Sequence, residues 1–195
     1  MSRPAARILV PSVILLLGAL VAVNAYRAWT QSITYDEAYT YQLYVSGPVG
    51  GILANTSANN HVLFSLLAKA TTTAFGPSEL SLRLPSVAAG AIYFATIFLL
   101  GRLVLGYVPT FTITVAALAL NPLVLDFLSA GRGYGLALAL FMGGFYQLAI
   151  IFARRQRAAG VRDSFRWVAA SLTLASSVLA NFAFAFPVWA LRCRR

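Results

Sequence analysis

The chain reads as an all-α, multi-pass transmembrane protein with about five spans, and three observations predict this. Apolar residues make up 59% of its 195 residues, only 10% are charged, and the mean hydropathy is +0.76, values that ordinary soluble domains do not reach. The apolar residues fall in long runs near the length of about 20 that a helix needs to cross a hydrocarbon core about 30 Å thick. The basic residues flank those runs and form no basic, aromatic-interleaved face, so the formal charge of +10 marks membrane topology and no nucleic-acid partner. Residues 1–195 make one transmembrane domain, with no room for a separate soluble one. The single cysteine, Cys193, excludes an intrachain disulfide and a cysteine-based metal site.

Span one is the apolar run 8–25, preceded by Arg3 and Arg7 and carrying Pro11 near its start, where a helix tolerates proline. The small residues Val23-Asn24-Ala25 leave a cleaved signal peptide as the competing reading, for which the run is long. Residues 26–83 form the first non-cytoplasmic loop, punctuated by Gly47-Pro48, Gly50-Gly51 and Gly76-Pro77. Within it, Val62–Phe75 is too short to span and is expected to be an interfacial or re-entrant helix. Tyr35, Tyr39, Tyr41 and Tyr44 suit the headgroup level. Span two, 84–105, turns through Gly106-Tyr107-Val108-Pro109 into span three, 110–128. Gly131-Arg132-Gly133 breaks the pattern before span four, 134–152. Arg154, Arg155, Arg157, Arg162 and Arg166 fill the next connection, and 167–191 makes span five, which Pro187 kinks or ends.

With the N-terminus cytoplasmic, eight basic residues (Arg3, Arg7, Arg102 and the five from 154 to 166) lie inside and four (Arg27, Lys69, Arg83, Arg132) outside. The positive-inside rule favours that orientation, in a cell membrane. Arg192, Arg194 and Arg195 then fall on the wrong face, as expected of a chain that continues into further spans. The same topology puts Asp36, Glu37, Glu79 and Asp126 outside and only Asp163 inside. Acidic residues contribute little to topology, so this bias points to a site or to a solvated loop.

Asp36 and Glu37 follow span one closely. Neighbours on a helix point about 100° apart, so one carboxylate can face a cavity while the other faces the loop. Either they do acid–base chemistry, which a low-dielectric setting assists, or they are helix-start charges favourable to the dipole. His61, the only histidine, opens the 62–75 helix after Asn59-Asn60. It is a helix cap, or it joins Glu37 and nearby amide oxygens in holding a divalent cation. Arg83 reads as a helix-start anchor paired with Glu79, four residues earlier. Arg132 lies between glycines that let a ligand approach the backbone, and guanidinium suits phosphate. A phosphate site and a structural role stay equally open there.

Four segments taken together, Tyr35-Asp36-Glu37-Ala38-Tyr39-Thr40-Tyr41, Asn59-Asn60-His61-Val62-Leu63, Gly76-Pro77-Ser78-Glu79-Leu80-Ser81-Leu82-Arg83-Leu84-Pro85-Ser86 and Ala130-Gly131-Arg132-Gly133-Tyr134-Gly135-Leu136-Ala137, resemble the GT-C glycosyltransferases. More narrowly, they look like the bacterial relatives of protein mannosyltransferases and lipid A aminoarabinose transferases. The resemblance implies transfer of a sugar, with inversion, from a polyprenyl-phosphate-linked donor to a hydroxyl of a lipid, glycan or protein acceptor on the non-cytoplasmic face. It implies Asp36 as base with Glu37 in support, and Asn60, His61, Arg83, Arg132 and Tyr134 around the substrates, Arg132 at the donor phosphate. A divalent metal on Glu37 and His61 is the cofactor it suggests. Ala130 stands where many relatives carry glutamate, Phe64 where closer ones carry a polar residue, and the family's members are commonly at least twice this length. The chain thus corresponds to the family's N-terminal, catalytic half. A carrier or flippase for lipid-linked sugars is one alternative, since the same charges can bind without reacting; it would place them nearer the midplane and show internal repeats. A truncated product, inactive without the remaining spans, is the other.

Overall fold

A computed structural model describes residues 3–55, 57, 59–105, 108–154 and 161–192, and every regular element among them is helical. The connection through Gly106 and Tyr107, and also Arg155, Arg157 and Cys193, lie outside the described residues.

Helix α1 (Arg3–Thr30) runs past both ends of the expected span and takes Pro11 into its interior. Thr34 starts α2 (Tyr35–Thr40) with a capping box, in which its side chain accepts from the Glu37 N–H while the Glu37 side chain returns to the Thr34 N–H. A π turn, Tyr41–Val45, continues α2, and Pro48 leads into α3 (Val49–Ala54). The carbonyls of Val45 and Gly47 accept from Lys69 Nζ at 3.0 and 2.6 Å. That lysine sits on α4 (Val62–Phe75), which has the bounds read from the sequence. Gly76, at φ 82°, ends α4 in a conformation closed to most side chains. Ser78 and Ser81 then form a second capping box at the start of α5 (Glu79–Val104).

The expected third span is broken. Helices α6 (Val108–Ala119) and α7 (Pro122–Ser129) meet at a 55° bend. Asn121 supplies the cause: its Oδ1 accepts from the N–H of Leu123 at 3.0 Å and of Val124 at 3.4 Å, and Pro122 follows at the first helical position. Helix α8 (Gly133–Arg154) matches span four. The expected fifth span divides into α9 (Val161–Ala180), a 3₁₀ turn Phe182–Phe184 and α10 (Ala185–Arg192). Its break comes at Asn181, whose Oδ1 caps the Ala183 N–H at 2.9 Å, and Pro187 lies inside α10.

Helices α1, α5 and α8 are long and apolar enough to cross a membrane, and the bent α6–α7 pair makes a fourth crossing if taken as one span. Helix α5 is the hub, packed against α1, α4, α6, α7 and α8, while α9 lies along α8. Phe64, Leu82, Phe94, Ile97, Val115 and Leu128 fill the core. Outward-facing positions on the candidate spans are large and apolar: Leu15 is 76% exposed and Ile113 69%. Arg83 and Glu37 are among the buried residues. Apolar surface enclosing buried charge is the distribution a lipid solvent selects.

Candidate functional site

Two ion pairs gather where α2, the start of α5 and the 130–132 turn meet. Glu37 and Arg83 form a two-pronged pair, with Arg83 Nε donating to Glu37 Oε1 and Nη2 to Oε2, each at 2.7 Å. Both side chains are sealed, at 0% and 2% exposure. Glu37 also accepts from Gly131 N–H at 2.5 Å, and from Thr34 N–H at 2.8 Å and Oγ1 at 3.0 Å. The remaining Arg83 donors go to the carbonyls of Ala28, Gln31 and Ser32 at 3.1, 2.6 and 2.9 Å. These are acceptors that the end of α1 leaves unpaired. Burial pushes the Glu37 carboxyl up, but the Arg83 guanidinium and the Thr34 and Gly131 N–H groups outweigh it and hold it below its ordinary 4.5. The partner of Arg83 is therefore Glu37, 46 residues away, and not Glu79. Proximity in sequence along a helix lost to a partner that satisfies both charges in the interior.

Asp36, one residue along α2, points differently. Its Oδ2 accepts from Arg132 Nη1 at 2.5 Å, and the two side chains are 46% and 22% exposed. Arg132 lies 5.1 Å from the Tyr134 ring centre, Phe127 stacks on that ring at 4.7 Å, and His61 meets it edge-on at 5.1 Å. Arg132 Nε is buried with no partner among the described residues.

His61 is the first residue before α4, yet its side chain makes no capping bond; it is buried at 4% exposure. Burial, with the Arg132 charge added to it, lowers the His61 pKa from 6.5 to about 4, so the imidazole is neutral at pH 7. Asn60 Nδ2 donates to the carbonyls of Ile52 and Asn55 at 2.6 and 2.7 Å. His61, Asn60 and Tyr134 nonetheless share the wall of a cavity of about 880 Å³ with Asn181 and Phe182. Asp36, Glu37, Arg83 and Arg132 do not line it.

The glycines of the 131–135 segment serve the protein's own chain. A Cβ on Gly133 would lie 2.1 Å from the Ala180 carbonyl and 2.6 Å from His61 Cβ; one on Gly131 would sit 3.0 Å from Glu37 Oε1. Ligand approach and a structural role were both open at Gly131 and Gly133; their close neighbours include the Glu37 carboxylate at the first, and the Ala180 carbonyl and His61 at the second. Asp126, expected on the outer side, pairs with Arg27 on α1. Phe64, at the position expected to be polar, is fully buried in the core.

Glu37 and His61 do not fit a divalent cation. Both carboxylate oxygens of Glu37 are taken by five N–H and O–H donors, and a cation there would face Arg83. No group of three or more His, Cys, Asp or Glu suited to a metal occurs among the described residues. Two contributors escaped the sequence reading. Thr34 carried a legible sign in its Thr-x-x-Glu spacing, and Asn181 was a lone amide in an apolar run. No family model, curated protein or solved structure matches the chain.

Proposed function

We propose that the chain carries the catalytic residues of a GT-C type glycosyltransferase that moves a sugar from a polyprenyl-phosphate-linked donor to an acceptor hydroxyl. One observation carries the reading: a half-exposed Asp36–Arg132 pair held at the head of the bundle by the sealed Glu37–Arg83 clamp. The four sequence motifs that resemble the family meet there or at the adjoining cavity. The excess of basic residues on the other side supports a cytoplasmic N-terminus in a cell membrane. In this topology α6–α7 is a bent third crossing, α9 with α10 the fifth, and α2 to α4 lie at the non-cytoplasmic interface.

The chemistry needs a proton acceptor at the acceptor oxygen and a positive group at the departing phosphate. Asp36 takes the hydroxyl proton as the acceptor oxygen bonds to the anomeric carbon. The bond from that carbon to the phosphate oxygen breaks, and its electron pair leaves with the polyprenyl phosphate. Direct displacement inverts the anomeric centre. Arg132 spends one Nη1 N–H on Asp36 and offers its Nη2 donors to the phosphate. Glu37, with no free lone pair facing the site, positions: Asp36 precedes it on α2, and its carboxylate holds the Gly131 N–H just before Arg132.

The test uses membranes containing the full chain and polyprenyl-phosphate-linked mannose or aminoarabinose labelled in the sugar. The wild type is expected to release polyprenyl phosphate and form a labelled product, and Asp36→Asn to lower the rate by at least a hundredfold while inserting normally. Transfer at the wild-type rate by Asp36→Asn refutes the assignment of the base. Passage of labelled lipid across the bilayer without product would instead identify a carrier.

A further inference from the structure

The cavity beside Tyr134 has a chemistry that neither ion pair explains. Among the described residues that line it none is Asp, Glu, Lys or Arg; the polar members include Asn55, Ser57, His61 and Asn181, and the aromatic ones are Tyr134 and Phe182. Amides, a hydroxyl and an imidazole offer donors and acceptors in balance with no net charge. Aromatic rings offer flat apolar faces. A small anion finds no counter-charge in this lining, and a purely apolar group would strand its amides at a cost of about 1–3 kcal/mol each.

Two of the polar groups are deeply buried and incompletely used. Asn181 is 4% exposed, and its Oδ1 caps the 3₁₀ turn while Nδ2 has no partner among the described residues. His61, also 4% exposed, has an unpartnered Nε2. Buried polar groups in folded proteins are usually paired, and exceptions call for an explanation. Asn181 has a further peculiarity: it stands in the last apolar run where α9 ends and the 3₁₀ turn begins, and this same break carries both Asn181 and Phe182 of the cavity wall.

We propose that this cavity is a subsite for an uncharged, hydroxyl-bearing ring, a sugar in chemical class, with Asn181 and His61 as its hydrogen-bonding residues and Phe182 and Tyr134 as its aromatic walls. The inference deepens the glycosyl-transfer reading by assigning the neutral sugar to the cavity and the phosphate to Arg132. The sugar belongs either to the donor or to a glycan acceptor.

The experiment is saturation-transfer NMR on the full chain in nanodiscs, using methyl glycosides of mannose, glucose and arabinose, with inorganic phosphate as competitor. Transfer to the ring protons of at least one glycoside is expected, undiminished by phosphate. Asn181→Asp keeps the Oδ1 cap and removes the Nδ2 donor, and Phe182→Ala removes an aromatic wall on a residue 77% exposed. Each is expected to weaken binding about tenfold, the effect of one lost hydrogen bond or ring contact. Displacement of the glycoside by polyprenyl-phosphate-linked sugar but not by polyprenyl phosphate assigns the cavity to the donor sugar; displacement by neither assigns it to the acceptor. No transfer to any glycoside, displacement by phosphate, or wild-type binding by both variants overturns the proposal. The two readings fail separately: glycoside binding without sugar transfer by the wild type sinks the enzyme reading and leaves the subsite, and sugar transfer without glycoside binding does the reverse.

Discussion

Replacing Glu37 by Gln exchanges one oxygen for NH₂ at the most constrained position in the molecule. The carboxylate accepts from Arg83 Nε and Gly131 N–H on Oε1, and from Arg83 Nη2, Thr34 N–H and Thr34 Oγ1 on Oε2. Glutamine can keep the first set through its carbonyl. Its NH₂ then points donors at the donors of the second, and the Arg83 charge is left buried without a counter-ion. Breaking one partner of a sealed pair costs about 3–5 kcal/mol. For a chain of this size each kcal/mol moves the midpoint by about 2–4 °C, so the expected loss is about 6–20 °C. Asp36→Asn provides the internal scale: its side chain is 46% exposed, and pairs of that kind contribute about 1 kcal/mol or less, about 4 °C at most. Thermal unfolding followed by circular dichroism in one detergent compares the two. Equal midpoints for Glu37→Gln and wild type, or an equal loss for both variants, would refute the distinction between a sealed clamp and an open pair. Arg83→Leu added to Glu37→Gln is expected to recover only part of the loss, because the carbonyls of Ala28, Gln31 and Ser32 then lack their donor.

The pH dependence carries two signatures of the same sense. His61 has a folded pKa of about 4 against 6.5 unfolded, so the unfolded chain binds the extra proton between those values. The neutral-His stabilisation is complete above 6.5 and is lost as pH falls toward 4, up to about 3 kcal/mol. His61→Gln is expected to flatten that part of the stability profile, and an unchanged slope from pH 6.5 to 4 would contradict it. Glu37, lowered from 4.5, keeps its contribution above 4.5 and loses it as pH falls through the lower folded value, so the variant retains this acid limb. Gly133→Ala is expected to cost at least about 1–3 kcal/mol, since its Cβ would meet backbone, the Ala180 carbonyl, at 2.1 Å. Gly18→Ala, inside α1 with nothing within 4 Å of its Cβ, is the clash-free control in the same melting series and is expected to lose nothing.

What could be read in advance followed from periodicity and punctuation. The runs that became α1, α5 and α8 were legible because span length is set by bilayer thickness. Helix α4 was legible because His61 and Gly76 bound an apolar stretch of fourteen residues. The breaks at Asn121 and Asn181 were missed for one shared reason. An asparagine in an apolar run costs little in averaged hydropathy, yet its side chain can take over the N–H groups of the residues that follow and start a new helix. Within the site, the pairing of Asp36 with Arg132 joins residues 96 apart, and that of Glu37 with Arg83 residues 46 apart. No local spacing rule predicts either. The nearest charge in sequence, Glu79, was the wrong partner for Arg83 because a surface pair contributes little against a fully desolvated fork.

The two adjacent acids show how one short helix divides its labour. Thr34 fixes the start of α2 by accepting from the Glu37 N–H and donating to the Glu37 carboxylate, which sets the rotation of the first turn. With Glu37 turned inward to Arg83, the turn of about 100° to its neighbour leaves Asp36 facing outward. The Glu37 carboxylate then reaches Gly131, whose lack of a Cβ admits an oxygen at 3.0 Å from where that atom would stand. Arg132 follows immediately and meets Asp36. Glu37 thus aligns both members of the open pair through the residues next to it, one on α2 and one on the 130–132 turn. An aspartate there, one methylene shorter, could not span from α2 to both Arg83 and Gly131, and so would disturb the open pair without touching it.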